Sequence, residues 1–462
     1  MKKVIVLGGG VSGLACEFFL NLGNKVEVLG FEKNSYFGGH AYSWRENEVF
    51  WDDGPHVFFG VKNEVEPFFD FSNDTEVDAT VLNFADGNWI NHPVYVNLID
   101  LPVFESEKLV KSLINAPVQK LSTNVEIRNY KEFLTHTYGE YYSDKFPLRY
   151  NDKYWRSDIS KLSTNWINSR MFKPTIEQIL IGANERQNLH YISKFRYPIS
   201  DGYSSYFKKA ISTSKIKKNV EIKKINLRSK SLATDLGEFD YDYLINTMPL
   251  TSFIKLCEDV PIAVLQASKK LECTSMLIVN VSFIGEVDPF FHWAYIHDTN
   301  FFSTRITNYS NLNFSLNNKL NTGKDLNNLK SRLQVEVYES PSQPFELSHD
   351  EIARKVVDEL SLMGLIPKTA KVSWSIRYSK MANVIFNLDR EDSLDLIYNF
   401  LGKFGLERSE NDLSANFVEP KSYPNTAGDI SLVGRFAQWN YYWTHDCIKK
   451  AKVIANLILE KV

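Results

Sequence analysis

Val4-Ile5-Val6-Leu7 runs directly into Gly8-Gly9-Gly10-Val11-Ser12-Gly13, and this stretch decides the fold. The four apolar residues predict a short buried strand, and a helix is predicted to begin at about Val11. Gly8, Gly10 and Gly13 have the G-x-G-x-x-G spacing of a dinucleotide-binding turn. The first glycine permits the tight turn, the second lets the backbone approach a pyrophosphate, and the third lets helix and strand pack closely.

The residues that follow complete a strand–helix–strand unit. Val26-Glu27-Val28-Leu29 predicts the second strand, and Glu32 lies about twenty residues past the glycines, where an acid accepts the ribose hydroxyls. The N-terminus of the helix supplies unpaired N–H groups and the positive end of a dipole for the pyrophosphate. Because strand, glycines, helix, strand and acid come in this order, we predict a dinucleotide site. Its residues are Gly8, Gly10, Val11, Ser12, Gly13 and Glu32.

A second pair of glycines helps to identify the dinucleotide. Within Lys33-Asn34-Ser35-Tyr36-Phe37-Gly38-Gly39-His40, the pair lets the chain fold back over the pyrophosphate and run along the cofactor, as a large flavin requires. Nicotinamide enzymes usually continue from the acid into another helix. A surface turn is the alternative interpretation of the pair. We predict FAD as the cofactor, with Lys33, Gly38, Gly39 and His40 beside it.

The bulk composition argues against several classes of protein. A chain of 462 residues is too long for one simple core, so two or three subdomains are expected. The net charge of −3 gives no electrostatic argument for nucleic acid or an anionic membrane, and no long uninterrupted apolar window predicts a spanning helix. The four cysteines are widely spaced, which is typical of buried reduced thiols. A strand that begins at Val4 leaves no room for a signal peptide, so we expect a soluble cytoplasmic protein.

Further along the chain, the patterns alternate between helices and strands. Segment 106–195 has charged and aromatic residues at helical spacing. The run 243–248 predicts a buried strand that returns to the cofactor sheet, whereas 275–285 and 333–338 predict strands of a second sheet. The asparagine-rich segment 311–331 between them is expected to be an exposed excursion.

The C-terminal segment repeats the opening pattern of strand, glycine turn and helix, at Ile430–Val433, Gly434–Phe436 and 446–460. We therefore predict an α/β fold: a discontinuous Rossmann-like FAD-binding domain with a helical subdomain and an antiparallel-sheet substrate domain. The predicted boundaries are 1–75, 201–270 and 420–462 for the FAD-binding domain, 76–105 for strands of the substrate domain, 106–200 for the helical substrate subdomain, and 271–419 for the antiparallel-sheet substrate domain.

Several segments beyond the glycine turns carry a resemblance to a known family. They are Gly54–Phe59, Trp89–Pro93, Tyr150–Trp155, Trp166–Arg170, Phe195–Pro198 with Gly202, Phe302–Thr307, Asn387–Glu391, and Gly434–Phe436 with Trp439 and Tyr441. Together they resemble the FAD-dependent UDP-galactopyranose mutases, especially the longer eukaryotic-type members, over nearly the whole chain. More loosely, they resemble the amine oxidase and protoporphyrinogen oxidase flavoproteins, which share the flavin motifs.

The resemblance implies an isomerase that interconverts the pyranose and furanose forms of a nucleotide sugar, in surface polysaccharide biosynthesis. In that chemistry, N5 of reduced FAD acts as the nucleophile toward the sugar, and NAD(P)H is the expected reductant. The expected partner is a small-molecule nucleotide sugar, and the oligomeric state is left open. The alternative is an FAD-dependent oxidoreductase that removes hydride from an amine or a polycyclic substrate, and a non-catalytic flavoprotein is a third interpretation.

The resemblance also assigns catalytic residues. Arg170 and Arg305 occupy the positions of diphosphate-binding arginines, and guanidinium groups bind phosphate oxygens bidentately. A structural salt bridge is the alternative for each arginine. His56 is placed beside the reactive edge of the flavin, with a buried structural histidine as the alternative.

Other roles concern the substrate and the second end of the cofactor. Tyr150 and Trp155 are expected to form a nucleotide-stacking wall, with a place in the core as the alternative, and Tyr441 is expected to reach the substrate diphosphate. The C-terminal cofactor contacts implied by the resemblance are Gly434, Arg435, Phe436 and Trp439.

The chain departs from the eukaryotic-type mutases at three places. Leu312 stands where they carry a tyrosine seven residues after the Arg305 position, and Asn383-Val384 replaces a Tyr-Pro pair. Thr444-His445-Asp446 replaces an Asn-x-Asp segment. Two of three phenolic hydroxyls for the diphosphate are therefore missing, and each loss should weaken binding by roughly 1–3 kcal/mol. The identity of the sugar nucleotide is left open.

Overall fold

A computed structural model describes residues 1–46, 49–119, 126–167, 171–189, 193–312, 330–408, 424 and 426–462. The chain forms two compact units. Unit 1 comprises Met1–Asp74, Asp201–Glu272 and Phe386–Val462, and unit 2 comprises Thr75–Ser200 and Cys273–Ile385. Unit 1 is thus built from three separate pieces of sequence.

The strands and helices lie along the chain as follows. The strands are β1 Lys2–Leu7, β2 Val26–Phe31, β3 Ser43–Glu46, β4 Val49–Asp52, β5 Asp74–Asp78, β6 Val81–Ala85, β7 Asn88–Asn91, β8 Lys194–Pro198, β9 Ile222–Asn226, β10 Ser231–Thr234, β11 Gly237–Asp240, β12 Tyr243–Asn246, β13 Ser275–Ile284, β14 Trp293–Ile296, β15 Arg305–Asn308, β16 Lys330–Glu339, β17 Val372–Ser379 and β18 Ile430–Leu432. The helices are α1 Val11–Gly23, α2 Lys62–Val65, α3 Val103–Ile114, α4 Tyr130–Tyr138, α5 Glu140–Lys145, α6 Pro147–Trp155, α7 Ile176–Gly182, α8 Lys208–Thr213, α9 Leu250–Leu256, α10 Ile262–Lys270, α11 Tyr309–Leu312, α12 His349–Leu362, α13 Arg390–Gly402 and α14 Thr444–Lys461.

Unit 1 is organised around a four-stranded parallel sheet in the order β18-β12-β1-β2. Strand β1 lies in the interior of this sheet, and Val4–Leu7 are buried, as expected for a parallel strand covered on both faces. Helix α1 follows β1 and packs against the C-terminal helix α14. A second, three-stranded antiparallel sheet is formed by β9, β10 and β11.

Unit 2 contains a seven-stranded sheet in the order β17-β13-β16-β15-β14-β6-β7. One face carries the apolar core, because alternate residues such as Leu277, Val279 and Val335 pack with α12. The opposite face is polar and carries Glu336 and Arg305, which are paired across β15 and β16. The sheet therefore positions charged side chains on the face that does not pack on α12.

The structure confirms the predicted elements of the dinucleotide-binding fold. Strands β1, β2 and β12, helix α1 and the C-terminal strand–turn–helix all form, and β13 and β16 pair antiparallel. The second sheet also includes one parallel pair, β6 with β14, so it is mixed. Most of the predicted excursion 311–331 lies outside the described residues.

One boundary differs from the prediction. The predicted sheet domain ran to residue 419, whereas unit 2 ends at Ile385. Helix α13, at Arg390–Gly402, packs against α10 of unit 1. The apolar face of α13 therefore completes the core of unit 1, and the last strand of the large sheet ends at Ser379.

Among the described residues, no helix is both long and apolar enough to cross a membrane. Over the same parts of the chain, no group of histidine, cysteine or acidic side chains has an arrangement that could hold a metal ion.

Candidate functional site

The glycine turn after β1 has the geometry that its spacing predicts. Gly8 has a φ of +103°, which only glycine adopts readily, and its N–H donates to the carbonyl of Phe31 at 2.8 Å. A Cβ on Gly13 would lie 1.9 Å from the carbonyl oxygen of Gly8, so helix α1 passes against the turn at a distance that excludes a side chain. Gly10 differs, since a Cβ there would have no atom nearer than 3.8 Å.

Helix α1 begins immediately after Gly10, and no side chain caps its N-terminus. The first turn contains Val11, Ser12 and Gly13, and it carries no acidic residue. The glycine turn therefore presents backbone N–H groups and the positive end of the helix dipole. The first turn of α1 contains no carboxylate that would neutralise them. This arrangement suits an anionic group such as a pyrophosphate.

Glu32 lies where the strand–helix–strand unit predicts its acid, at the end of β2. Its side chain is 8% exposed, and its two carboxylate oxygens accept hydrogen bonds from the N–H groups of Gly9 and Asn34, both at 2.7 Å. The carboxylate thus ties the glycine turn to the end of β2. Because a carboxylate has about four acceptor positions, these two bonds leave capacity for a ribose hydroxyl.

The second glycine pair lies against the first turn. Gly38 has a φ of +109° and Gly39 a φ of +58°, and Gly38 donates its N–H to the carbonyl of Gly9 at 2.9 Å. A Cβ on Gly39 would lie 3.2 Å from the Cα of Gly10. The chain therefore folds back over the glycine turn, as predicted from the sequence. The neighbouring Lys33 is exposed.

The C-terminal turn of unit 1 approaches the same helix. Gly434 has a φ of +116°, and a Cβ there would lie 2.5 Å from Oγ of Ser12. Arg435 donates from Nε to the carbonyl of Tyr442 at 2.8 Å, and its guanidinium lies 5.0 Å from the ring centre of Tyr441. The predicted residues Ser12, Gly434, Arg435 and Tyr441 are thus brought into one region of unit 1.

Trp439 does not have the exposure that a direct cofactor contact requires. Its side chain is 1% exposed, and its backbone carbonyl accepts two hydrogen bonds from Arg390, at 2.7 and 2.9 Å. Trp439 also packs edge-on against Phe436, and the ring of Phe436 lies 5.3 Å from that of His40. The side chain of Trp439 therefore lies in the interior of unit 1. This burial corrects the prediction that it contacts the cofactor.

His56 is a partly exposed histidine of unit 1 that stays uncharged at neutral pH. Desolvation by the surrounding protein lowers its pKa to about 4, and the neighbouring His40 and Arg435 act in the same direction. Nδ1 lies 2.9 Å from the carbonyl of Gly54, and since a carbonyl only accepts, Nδ1 carries the proton. Nε2 of a neutral His56 is then a hydrogen-bond acceptor.

Arg305 is the first residue of β15, and it is held by a carboxylate on the adjacent strand. Its Nε and Nη2 atoms donate to the two carboxylate oxygens of Glu336, at 2.5 and 2.8 Å. Burial opposes the charge of the guanidinium, but Glu336 outweighs burial and holds the pKa of Arg305 well above its usual value. The side chain remains 25% exposed, whereas that of Glu336 is 2% exposed.

Two aromatic residues predicted to form a stacking wall have different positions. Tyr150 is half-buried in unit 2; desolvation raises the pKa of its phenol well above the usual value, and the charge of Arg305 opposes that rise. Trp155 is 1% exposed, donates from its indole nitrogen to Asn151 at 2.9 Å, and packs edge-on against Trp166. A ring with this little exposure offers no face for stacking, so the structure supports the alternative interpretation of Trp155, a place in the core. Tyr150 stays a candidate.

A buried polar clamp fixes the loop before β15. Lys153 of α6 donates to the carbonyls of Ile296, Asp298 and Ser303, at 3.2, 2.8 and 2.6 Å. Glu359 of α12 accepts from the N–H and the hydroxyl of Ser303, at 2.9 and 2.6 Å. Burial lowers the pKa of Lys153 and raises that of Glu359. The loop leading to Arg305 is thus held from two sides.

The remaining predicted positions fall into two groups. Arg170 lies outside the described residues. Leu312 is fully buried, and Asn383 is 6% exposed and accepts a hydrogen bond from the hydroxyl of Tyr154 at 2.9 Å. Sequence reasoning missed Glu336, because this acid occupies an ordinary polar position in the alternation Leu333-Gln334-Val335-Glu336-Val337, and no local signal distinguishes it.

Comparison with known proteins gives one family match and several structural similarities. Residues 6–72 match the model of a family described as NAD(P)-binding Rossmann-like domain. The crystal structure of reduced UDP-galactopyranose mutase has a TM-score of 0.85 and 19% sequence identity, over 100% of this chain and 96% of that one. A CLA-producing fatty acid isomerase from P. acnes has a TM-score of 0.60 and 11% identity, over 98% of each chain. Putrescine oxidase has a TM-score of 0.60 and 11% identity, over 100% of this chain and 98% of that one.

These similarities confirm the expected fold over the full length of the chain. They also show that the same architecture occurs in a mutase, an isomerase and an oxidase. Since one fold hosts these different activities, the choice among them depends on the side chains of the site.

Proposed function

We propose that this chain is an FAD-dependent enzyme that interconverts the pyranose and furanose forms of a nucleotide sugar. The observation that carries the proposal is Arg305, a guanidinium that is 25% exposed and fixed in place by the buried carboxylate of Glu336. Among the described residues, its Nη1 atom has no protein partner, so the guanidinium can still donate to a ligand. A donor with a fixed orientation suits the developing charge of a departing diphosphate.

The residues of unit 1 fit FAD as the cofactor. The uncapped N-terminus of α1 suits the pyrophosphate, and Gly10 leaves room for it because the atom nearest to a Cβ there would lie 3.8 Å away. Glu32 retains acceptor capacity for the ribose. The positive φ angles of Gly38 and Gly39 allow the chain to double back over the turn, as an extended flavin dinucleotide requires. Reduced FAD would supply a nucleophilic nitrogen, N5, for the anomeric carbon of the sugar.

Several side chains of this chain have roles in the proposed reaction. Arg305 binds the diphosphate and stabilises its charge when it leaves the sugar, and Tyr150 stays a proposed substrate contact in the same unit. Neutral His56 offers Nε2 as an acceptor for a cofactor N–H. Arg170, Tyr441, Gly434, Arg435 and Phe436 stay proposed site residues, and NAD(P)H stays the proposed source of electrons.

The decisive experiment tests whether the reaction has a net redox change. The protein is purified with its flavin, and UDP-galactopyranose is added to the oxidised enzyme or to enzyme reduced with dithionite. We expect an isomer of the same mass to form only with reduced flavin, and the flavin spectrum to stay reduced during turnover. Bleaching of oxidised flavin by the substrate, with recovery in oxygen, would overturn the mutase and establish the alternative, an FAD oxidoreductase.

A variant tests the role of Arg305 in the same assay. Glu336→Gln is combined with Arg305→Ala, so that no buried carboxylate is left without its partner. We expect turnover at least tenfold below that of the Glu336→Gln single variant, with FAD still bound, because the glycine turns are in unit 1. Equal turnover in these two variants would remove Arg305 from the site.

A further inference from the structure

A single ammonium group closes the connection between strands β14 and β15. The side chain of Lys153 is 5% exposed, and its Nζ atom donates to the carbonyls of Ile296, Asp298 and Ser303, at 3.2, 2.8 and 2.6 Å. Ile296 is the last residue of β14, and Ser303 lies two residues before β15. The lysine therefore binds both ends of the connection, and Arg305 is the first residue that follows it.

A ring contact joins the same two pieces of structure. Tyr150 precedes Lys153 by three residues on helix α6, which is about one helical turn. Its ring lies 5.3 Å from the ring of Tyr295, edge-on, and Tyr295 on β14 is paired with Arg305 on β15. Lys153 and Tyr150 thus both hold helix α6 against the hairpin that carries Arg305.

Glu359 binds the same connection, but from a different helix. Its carboxylate accepts from the N–H groups of Phe302 and Ser303, at 2.7 and 2.9 Å, and from the hydroxyl of Ser303 at 2.6 Å. Glu359 belongs to α12, which packs on the apolar face of the sheet and carries none of the predicted site residues. Glu359 therefore anchors the loop, whereas Lys153 joins the loop to the helix of Tyr150.

We propose that Lys153 is a positioning residue that fixes the separation of Tyr150 and Arg305. The inference rests on the proposed function, in which Tyr150 contacts the nucleoside and Arg305 binds the diphosphate. A ligand that reaches both residues binds more tightly than its separate parts when the two contacts are held at a matching distance, because the second contact then forms at a high effective concentration. Lys153 therefore controls the affinity for the whole nucleoside diphosphate and has little influence on the affinity for each part.

The test compares UDP with two of its parts, uridine and pyrophosphate, by titration calorimetry. The full-length protein is used with its flavin bound, so that pyrophosphate does not bind at the glycine turn of unit 1. Lys153→Met is combined with Glu359→Gln, which avoids a buried carboxylate without a nearby cation. Relative to Glu359→Gln alone, we expect a loss of UDP affinity of about tenfold or more, and a change of less than about twofold for uridine and for pyrophosphate.

Two further variants complete the test. Lys131→Met makes the same substitution at an exposed position of α4 and should leave all three affinities unchanged. Lys153→Gln in the Glu359→Gln background keeps N–H donors on a shorter side chain, and it decides the question if the methionine variant does not fold. We expect it to lower UDP affinity by roughly threefold, again with both parts of the ligand little affected.

The ratio of the affinities separates positioning from a general structural role. Equal losses for UDP, uridine and pyrophosphate in a variant that keeps a cooperative thermal transition would overturn the inference. An unchanged affinity for UDP would overturn it as well. Wild-type protein that binds none of the three molecules would instead overturn the proposed function, and this result is distinguishable from the other two.

Discussion

Unit 1 and unit 2 build their candidate sites from different chemical groups. In unit 1 the site is a set of backbone turns, in which glycines at 8, 10, 13, 38 and 39 let polypeptide segments approach one another and leave N–H groups at a helix N-terminus. In unit 2 the site is a set of buried side-chain charges, in which Arg305 is fixed by Glu336 and the loop before it is held by Lys153 and Glu359.

The difference has a physical cause. A backbone site needs space and conformational freedom, which glycine supplies at a cost in entropy and without any charge. A site made of buried ions needs each ion to be paired, because an unpaired charge in the interior costs several kcal/mol. We therefore expect unit 1 to respond to changes of volume and unit 2 to changes of charge. The variants below test this expectation, in order of their effect on the free energy of unfolding.

Gly13→Ala should have the largest effect. Its Cβ would lie 1.9 Å from the carbonyl oxygen of Gly8, and both partners are backbone, so neither can rotate away. We expect the variant not to fold stably, as shown by loss of a cooperative thermal transition. Gly402→Ala is the control, since no atom lies within 4 Å of its Cβ position. A normal transition in Gly13→Ala would contradict the close packing of α1 on the turn.

Arg305→Met should have the next largest effect, because it leaves the carboxylate of Glu336 buried without its partner. We expect a loss of about 3–5 kcal/mol of stability in urea denaturation. Adding Glu336→Gln should restore most of the loss, since the remaining group is neutral. If the double variant were as unstable as the single one, packing of the arginine stem would be the cause, and the contrast between the two units would weaken.

The contrast also explains which parts were predictable from the sequence. The turn at Gly8–Gly13 and the acid Glu32 lie within one local strand–helix–strand unit, where spacing alone fixes the geometry, and both took their predicted places. The pairing of Arg305 with Glu336 depends on the register of β15 against β16. No local pattern gives that register, so the sequence indicated the arginine but not its partner.

Two tryptophans show that a resemblance to a family, like a local pattern, does not determine long-range packing. Trp155 and Trp439 match positions with ligand contacts in the resembling family, yet both are 1% exposed. Burial of an aromatic side chain depends on residues distant in sequence, such as Trp166 packing against Trp155. A matching residue type in a motif therefore does not determine whether its ring faces a ligand, because that depends on the surrounding core.

A change of pH tests the sensitivity of unit 2 to charge. Burial lowers the pKa of His292 to about 4, and Nδ1 of this histidine accepts the N–H of Thr80 at 3.0 Å. Between pH 6.5 and 4, His292 is protonated in the unfolded chain but stays neutral in the folded chain, so stability falls as the pH is lowered. At pH 5 this group should cost about 2 kcal/mol relative to pH 7. His292→Asn keeps an acceptor at that place and should flatten the slope in urea denaturation by the same amount; an unchanged slope would contradict the assignment.

Gly10→Ala should have the smallest effect on stability and therefore isolates the function of the glycine turn. The nearest atom to its Cβ would be the Cα of Gly39 at 3.8 Å, an ordinary contact, so the unfolding free energy should change by less than about 0.5 kcal/mol. The methyl group would instead occupy space that the pyrophosphate of FAD needs, and we expect FAD affinity to fall at least tenfold, which corresponds to about 1.4 kcal/mol. Thermal unfolding of the apoprotein and titration with FAD measure the two quantities separately. A variant that kept full FAD affinity would show that the cofactor does not need the space beside Gly10, and unit 1 would then lose the feature that distinguishes its site from a tightly packed turn.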